Sequence, residues 1–218
     1  MGKSVKMASS EGQLMKMHLL QPAAGRVIAY CTTAEVERFF AAIPADAHRD
    51  LLLFDAMYRY GLRRLEAAAL RRDYLRDGRI WITRAKGGVS GEYPVHPVTR
   101  RLLWAYLNER GDDENPYLFV GRQSGDAHPL SPSMIYHLFR QYAEAAELPA
   151  RHRHPHVLRH SMAVHLMNTG WDVADVQDWL GHRNIKSTMV YAAVTNKRRY
   201  ANWERTRSSR EIANNNWG

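Results

Sequence analysis

Apolar residues in this chain recur at helical spacing in short blocks, each closed by a capping or breaking residue, and only one stretch alternates. Such a pattern predicts a mainly α fold with a small antiparallel β-sheet, an α+β domain. Thr32-Thr33-Ala34-Glu35 reads as a capping box, with Val36, Phe39, Phe40 and Ile43 following at helical spacing until Pro44. A second helix is expected from Ala47 to Tyr60 on Leu51, Leu52, Phe54, Met57 and Tyr58, with Gly61 as its stop. A third is expected from Leu62 to Leu70, with Leu62, Leu65, Ala69 and Leu70 inward. Arg79 to Thr83 alternates, Gly87-Gly88 can turn, and Glu92 to Val95 can return as an edge strand. Helix resumes from Val98 to Glu109, and a loop-rich stretch then carries a buried run at Tyr117 to Val120. Ser131-Pro132 opens the next helix, and Asp172 with Asp175 caps the one that carries Val176 and Leu180.

Composition narrows the function. Hydrophobic residues make up 45% and charged residues 24% of 218, enough for a core and unlike a disordered chain. Runs such as Leu51-Leu52-Leu53-Phe54 are too short to span a bilayer, and mean hydropathy is −0.50. The start lacks the apolar segment of a secretory signal, so a cytoplasmic, nucleoid-associated location is expected, with no membrane partner. The lone Cys31 excludes an intrachain disulfide and a multi-cysteine zinc cage. Thirty-one Lys and Arg against 22 Asp and Glu give +9 and a pI near 9.8, which points to a polyanionic partner, nucleic acid first.

The densest cluster of polar chemistry is Arg151-His152-Arg153-His154-Pro155-His156-Val157-Leu158-Arg159-His160. His156 and His160 share a helix face, yet no cysteine or carboxylate is close in sequence and three arginines repel a cation, so no metal is expected. Guanidinium forks suit phosphate geometry, and histidines can add hydrogen bonds beside them.

These residues belong to a wider pattern. His156-Val157-Leu158-Arg159-His160-Ser161 is followed by Leu180-Gly181-His182, whose histidine lies 23 residues beyond Arg159, and by Tyr191 nine residues later. Upstream stand Tyr60-Gly61-Leu62-Arg63-Arg64-Leu65-Glu66 and Arg84-Ala85-Lys86-Gly87-Gly88. In order and spacing the set resembles the catalytic domain of the tyrosine recombinases, the lambda-integrase-like and Xer-like family, over about residues 30 to 200. The resemblance implies that Tyr191 attacks a scissile phosphorus, leaving a 3′-phosphotyrosine and a free 5′-hydroxyl. Arg63 and Arg159 would clamp the non-bridging oxygens, with His182 donating a further hydrogen bond. His156 would handle the tyrosine's proton, Lys86 would protonate the departing 5′-oxygen, and Glu66 would orient a catalytic neighbour. No cofactor is implied. Tyr200 is a rival nucleophile lying farther from His182 than the pattern places it, and Tyr60 stands where the family often has threonine.

Residues 1–29 are expected to be a tail or linker remnant and 30–218 the catalytic domain, with a C-terminal segment from about 192 to 218. Most members carry a helical DNA-binding domain before the catalytic one. The short lead here fits either the catalytic part of a longer chain or a compact form resembling the fimbrial-switch recombinases. The implied partners are double-stranded DNA with paired recombination sites, further copies of the chain up to a tetramer on DNA, and accessory DNA-bending proteins. Alternatives are a type IB topoisomerase-like enzyme with the same cleavage step and a catalytically silent DNA-binding module.

Overall fold

The computed structural model describes residues 28–85, 87–121 and 128–192. In chain order these form α1 (Thr33–Ala41), α2 (His48–Arg59), α3 (Arg64–Ala68), β1 (Leu75–Arg76), β2 (Arg79–Ile82) and β3 (Gly91–Pro94). Next come α4 (Pro97–Arg110), α5 (Pro132–Ala145), α6 (His156–Asn168), α7 (Val173–Trp179) and α8 (Lys186–Ala192). No helix among the described residues is long and apolar enough to cross a membrane.

The helix starts follow their capping chemistry. Thr32 Oγ1 accepts from the Glu35 backbone N–H at 3.2 Å, and the Glu35 carboxylate accepts from the Thr32 N–H at 2.7 Å, closing the box that opens α1. Ser131 caps α5 through the Met134 N–H at 3.1 Å, with Pro132 at the first helical position. Asp172 and Asp175 form the same reciprocal pair at α7.

Phe39 on α1, Phe54 on α2 and Phe139 on α5 meet with ring centroids 4.8–5.8 Å apart at the centre of the main core. Removing any one of these rings costs about 3–5 kcal/mol. A second apolar group joins Ala163, Val164 and Met167 of α6 to Val176, Leu180 and Tyr191. The site residues sit where α2, α6, α7 and the sheet converge.

One expectation is corrected. The third helix spans only Arg64–Ala68, and Leu65 is 56% exposed, with Ala69 also outward. Leu62 and Leu70 are buried as expected but flank the helix rather than sit in it. The inward face is instead Glu66, Ala67 and Ala68, because the Glu66 carboxylate is drawn in by arginine partners. The expected small antiparallel sheet is present, and the short β1 adds a third strand to it in the order β1-β2-β3. Asp77 and Gly78, with φ of 49° and 71°, close the added two-residue turn between β1 and β2, where both central residues need positive φ. On β2 the alternation holds: Ile80 and Ile82 are buried, Arg79 and Trp81 exposed.

Candidate active site

The site begins with two helix ends. The last carbonyls of a helix have no partner within it, and cations are favoured there. At the end of α2 the Tyr60 carbonyl accepts from Arg84 Nη2 at 2.9 Å, and the Gly61 carbonyl accepts from Arg159 Nη1. At the end of α7 the Trp179 carbonyl accepts from Arg84 Nη2 at 2.8 Å, and the Leu180 carbonyl accepts from Arg159 Nη2 at 2.8 Å. Two guanidiniums thus tie together two segments 119 residues apart.

Gly61 permits that closeness. Its φ is +58°, and an added Cβ would lie 2.4 Å from Leu180 Cδ2. Gly181, with φ +62°, would place a Cβ 2.5 Å from the Val89 carbonyl, and its own carbonyl accepts from the Val89 N–H at 3.1 Å. The loop between β2 and β3 therefore lies against the residue before His182.

Glu66 sits at the centre, its side chain fully buried. Its carboxylate accepts from Arg63 Nη1 at 2.5 Å, from the Arg63 N–H at 2.9 Å, from Arg84 Nη1 at 3.1 Å and from the Ala85 N–H at 3.1 Å. Arg159 Nη1 is 3.9 Å away. Burial alone would raise the Glu66 pKa, but the Arg63 N–H and the Arg84, Arg63 and Arg159 guanidiniums outweigh it and hold the carboxyl below its ordinary value. Three guanidiniums around one carboxylate leave an excess of positive charge. The same crowding, after burial, lowers the Arg159 pKa to about 10. Arg63 remains 28% exposed at its side chain and opens to the surface.

Tyr191, on α8, is 2% exposed. Burial raises its pKa, while Arg159 and then Arg63 act to lower it. Its hydroxyl is 2.9 Å from His160 Nδ1. His182, just beyond α7, has Nδ1 2.9 Å from Thr188 Oγ1, and its carbonyl accepts from Gln177 Nε2 at 2.9 Å. Burial, then Arg159, Arg63 and Arg84, lowers the His182 pKa to about 4, which keeps the ring neutral. His156 is the first residue of α6 and is exposed; its ring stands 6.4 Å from that of His160, one turn on.

Of the residues singled out from sequence, Arg63, Glu66, Arg159, His182 and Tyr191 thus share one neighbourhood, with His156 at its edge. Lys86 lies outside the described residues, although Ala85 before it is bonded to Glu66, and the Gly88 N–H after it donates to the Ala85 carbonyl at 3.2 Å. Tyr200 and the basic segment from Lys197 also lie outside the described residues. Tyr60 turns its hydroxyl toward the sheet, donating to the Pro94 carbonyl at 3.2 Å and accepting from the His96 N–H at 3.0 Å.

Sequence reading missed Arg84. The pattern around Lys86 drew attention to the lysine, whereas Arg84 is the buried residue that holds Glu66, Tyr60 and Trp179 together. The available signal was an arginine directly after a β-strand with no acidic neighbour in sequence to pair with.

The histidine cluster also departs from expectation. His152 lies with Cys31 and Glu35, which offer one donor atom each within 4.8 Å of one another, so a cysteine and a carboxylate do join one histidine in space. The Glu35 carboxylate already serves the α1 cap, and burial pushes the Cys31 thiol up to about 12, far from the thiolate a metal takes. The chemistry of this trio suits a tie between α1 and the turn at Ala150–His152.

Residues 29–198 match the model of the phage integrase family. The chain belongs to that family. It is 33% identical over 169 residues to Tyrosine recombinase XerA of Pyrococcus furiosus, covering 76% of this chain and 57% of the relative. It is 34% identical over 185 residues to the Type 1 fimbriae regulatory protein FimE of Escherichia coli K12, covering 81% of this chain and 91% of the relative. The chain therefore spans little more than half of the XerA relatives and nearly all of FimE. A crystal structure of the XerH site-specific recombinase, bound to its palindromic difH substrate after cleavage, superposes with a TM-score of 0.68 at 23% identity, covering 84% of this chain and 56% of that one. That likeness establishes the phage integrase catalytic fold for the helices and three-stranded sheet described above.

Proposed function

We propose that this protein is a site-specific DNA recombinase that cuts and rejoins duplex DNA through a 3′-phosphotyrosine link to Tyr191. The observation that carries the reading is the bond of the Tyr191 hydroxyl to His160, the residue directly after Arg159, beside three guanidiniums that outnumber the single Glu66 carboxylate. That charge suits a phosphate whose negative charge grows as attack proceeds.

In this reading the Tyr191 oxygen bonds to phosphorus, the bond from phosphorus to the 5′-oxygen breaks, and Lys86 gives that oxygen its proton. His156 receives the phenol proton. Arg63 and Arg159 bind the non-bridging oxygens with spare N–H groups. When Thr188 donates to His182 Nδ1, the neutral ring keeps its proton on Nε2, free to donate to the same phosphate. The phosphotyrosine conserves the energy of the broken bond, so rejoining needs no nucleotide, and the arginines supply the charge for which other enzymes use a metal.

DNA recognition fits the exposed residues around the site. Arg64 lies over the Tyr136 ring at 5.4 Å, beside the exposed Ser133, Met134, His137 and Arg140 of α5, a face suited to base edges. Specificity then comes from two or more protomers on paired sites, assembling to a tetramer through the segment beyond Tyr191, with bending proteins as accessory partners. Residues 30–218 act as the catalytic unit, in a cytoplasmic, nucleoid-associated setting. The relatives named tyrosine recombinases favour this reading over a monomeric relaxing enzyme.

Trapping on a nicked suicide duplex tests the core claim. The parent chain should form a covalent adduct in EDTA, Tyr191→Phe should form none while still binding DNA, and Tyr200→Phe should match the parent. An adduct that survives in Tyr191→Phe, or that requires a divalent ion, overturns the assignment.

A further inference from the structure

The Tyr191 hydroxyl makes its side-chain hydrogen bond to His160, not to His156 one turn earlier on the same face of α6. The two rings lie 5.7 Å apart, tilted by 50°, at the seam where α8 packs on α6. Here we propose that His160 is a positioning residue for the reaction: its Nδ1 accepts the phenol O–H and so decides which side of the Tyr191 oxygen faces the arginines. The idea rests on the reading of Tyr191 as the nucleophile.

The physical case has three parts. A phenol hydrogen that is free to rotate leaves the lone pairs of its oxygen undirected. Pinning that hydrogen to one fixed acceptor turns them away from it, leaving them open to a phosphate held by Arg159 and Arg63. The acceptor is also held still. His160 follows Arg159 directly on α6, and Arg159 is bonded to the Gly61 and Leu180 carbonyls, so phosphate clamp and phenol seat share one rigid turn of helix. Finally, the ring is an acceptor and not a base. Burial, then His156, His154 and Arg159, holds the His160 pKa near 4, whereas burial raises that of the phenol. Full proton transfer between them is therefore disfavoured, while donation of a hydrogen bond from phenol to neutral imidazole is favourable. No covalent bond is made or broken at His160: it holds the phenol before attack, and as the bond to phosphorus forms the proton leaves for His156.

Two variants separate seating from mere packing. His160→Phe keeps a flat ring in the buried seam but removes the acceptor. His160→Asn is smaller and packs worse, yet places an acceptor oxygen at the position of Nδ1. With the full chain and no DNA, carbon-13 at the tyrosine Cζ reports the phenol's hydrogen bond, and the Tyr191 signal is the one missing from Tyr191→Phe. That signal should move in His160→Phe and return toward the parent in His160→Asn. On a saturating suicide duplex, single-turnover cleavage should fall about tenfold in His160→Phe with DNA affinity within twofold, and His160→Asn should recover most of the loss. Cleavage within twofold of the parent in His160→Phe, an unmoved Tyr191 signal, or an Asn variant no better than Phe overturns the proposal. Should His160→Phe not fold, nitrogen-15 shifts of the parent decide it: a ring protonated on Nδ1 rather than Nε2 sinks the idea. Failure of the nucleophile reading shows up elsewhere, as an adduct persisting in Tyr191→Phe.

Discussion

At the scale of single residues, the site is an arrangement of charge around Glu66. One carboxylate, fully buried, is shared among Arg63, Arg84 and the more distant Arg159. Removing one member of a buried charged group leaves the others unpaired, and this costs more than the net worth of the pair. Glu66→Gln keeps the volume but leaves the guanidiniums to repel one another. It should destabilise the protein by about 3 kcal/mol, visible as a fall in melting temperature. An unchanged melting point would show that the arginines are paid for by other partners. The acidic residue was legible in the sequence as a neighbour of Arg63. Its second partner, Arg84, 18 residues on, was not, because no local spacing connects them.

At the scale of elements, caps behaved as local chemistry and glycines as long-range chemistry. The boxes at Thr32 and Asp172 form within four residues of chain, so their outcome could be read in advance. Gly61 could be read as the stop of α2, but its reason for being glycine lies across the fold, where Leu180 occupies the space a Cβ would need. Gly61→Ala should therefore cost about 1–3 kcal/mol through strain and displacement of Leu180. Gly78→Ala has a similar positive φ of +71° with nothing within 4 Å, and should cost less. Denaturant titration of the two variants checks the ordering; equal losses would mean that only the backbone angle matters. Helix α3 shows the opposite failure. A hydrophobic period placed Leu65 inward, yet five residues are too few for periodicity to outweigh one buried carboxylate.

At the scale of the whole molecule, histidine burial makes stability depend on pH. His160 and His182 titrate near 4 in the fold, against 6.5 for the free side chain. Between those values the unfolded chain binds more protons than the folded one, so stability is full above about 6.5 and declines as pH falls toward 4. Below that, protonation of carboxyls held low, Glu66 and Glu35 among them, adds to the loss. Melting curves at pH 7, 6, 5 and 4 should show a progressive drop, and a flat profile from pH 7 to 5 would contradict the burial of these rings. A net charge of +9 has its own consequence for DNA binding. Affinity should fall by about a thousandfold or more between 50 and 200 mM salt if six or more phosphates are neutralised. Fluorescence titrations on duplex DNA over that range test it; a slope near zero would mean that contacts other than phosphate dominate.

By itself the sequence determined the order and type of most elements, the helix caps, the basic partner surface, and the set of Arg63, Glu66, Arg159, His182 and Tyr191. The elements and caps follow from local periodicity, which acts over a few residues, and the site set from the resemblance to the tyrosine recombinases, whose motifs keep a fixed order along the chain. Only the tertiary structure decided that Arg84 and Arg159 join the ends of α2 and α7, that Cys31 and Glu35 meet His152, and that the Tyr191 hydroxyl bonds to His160. The physical reason is the same in each case. A buried polar group must find a partner wherever packing brings one within reach, and packing joins residues that no spacing along the chain relates.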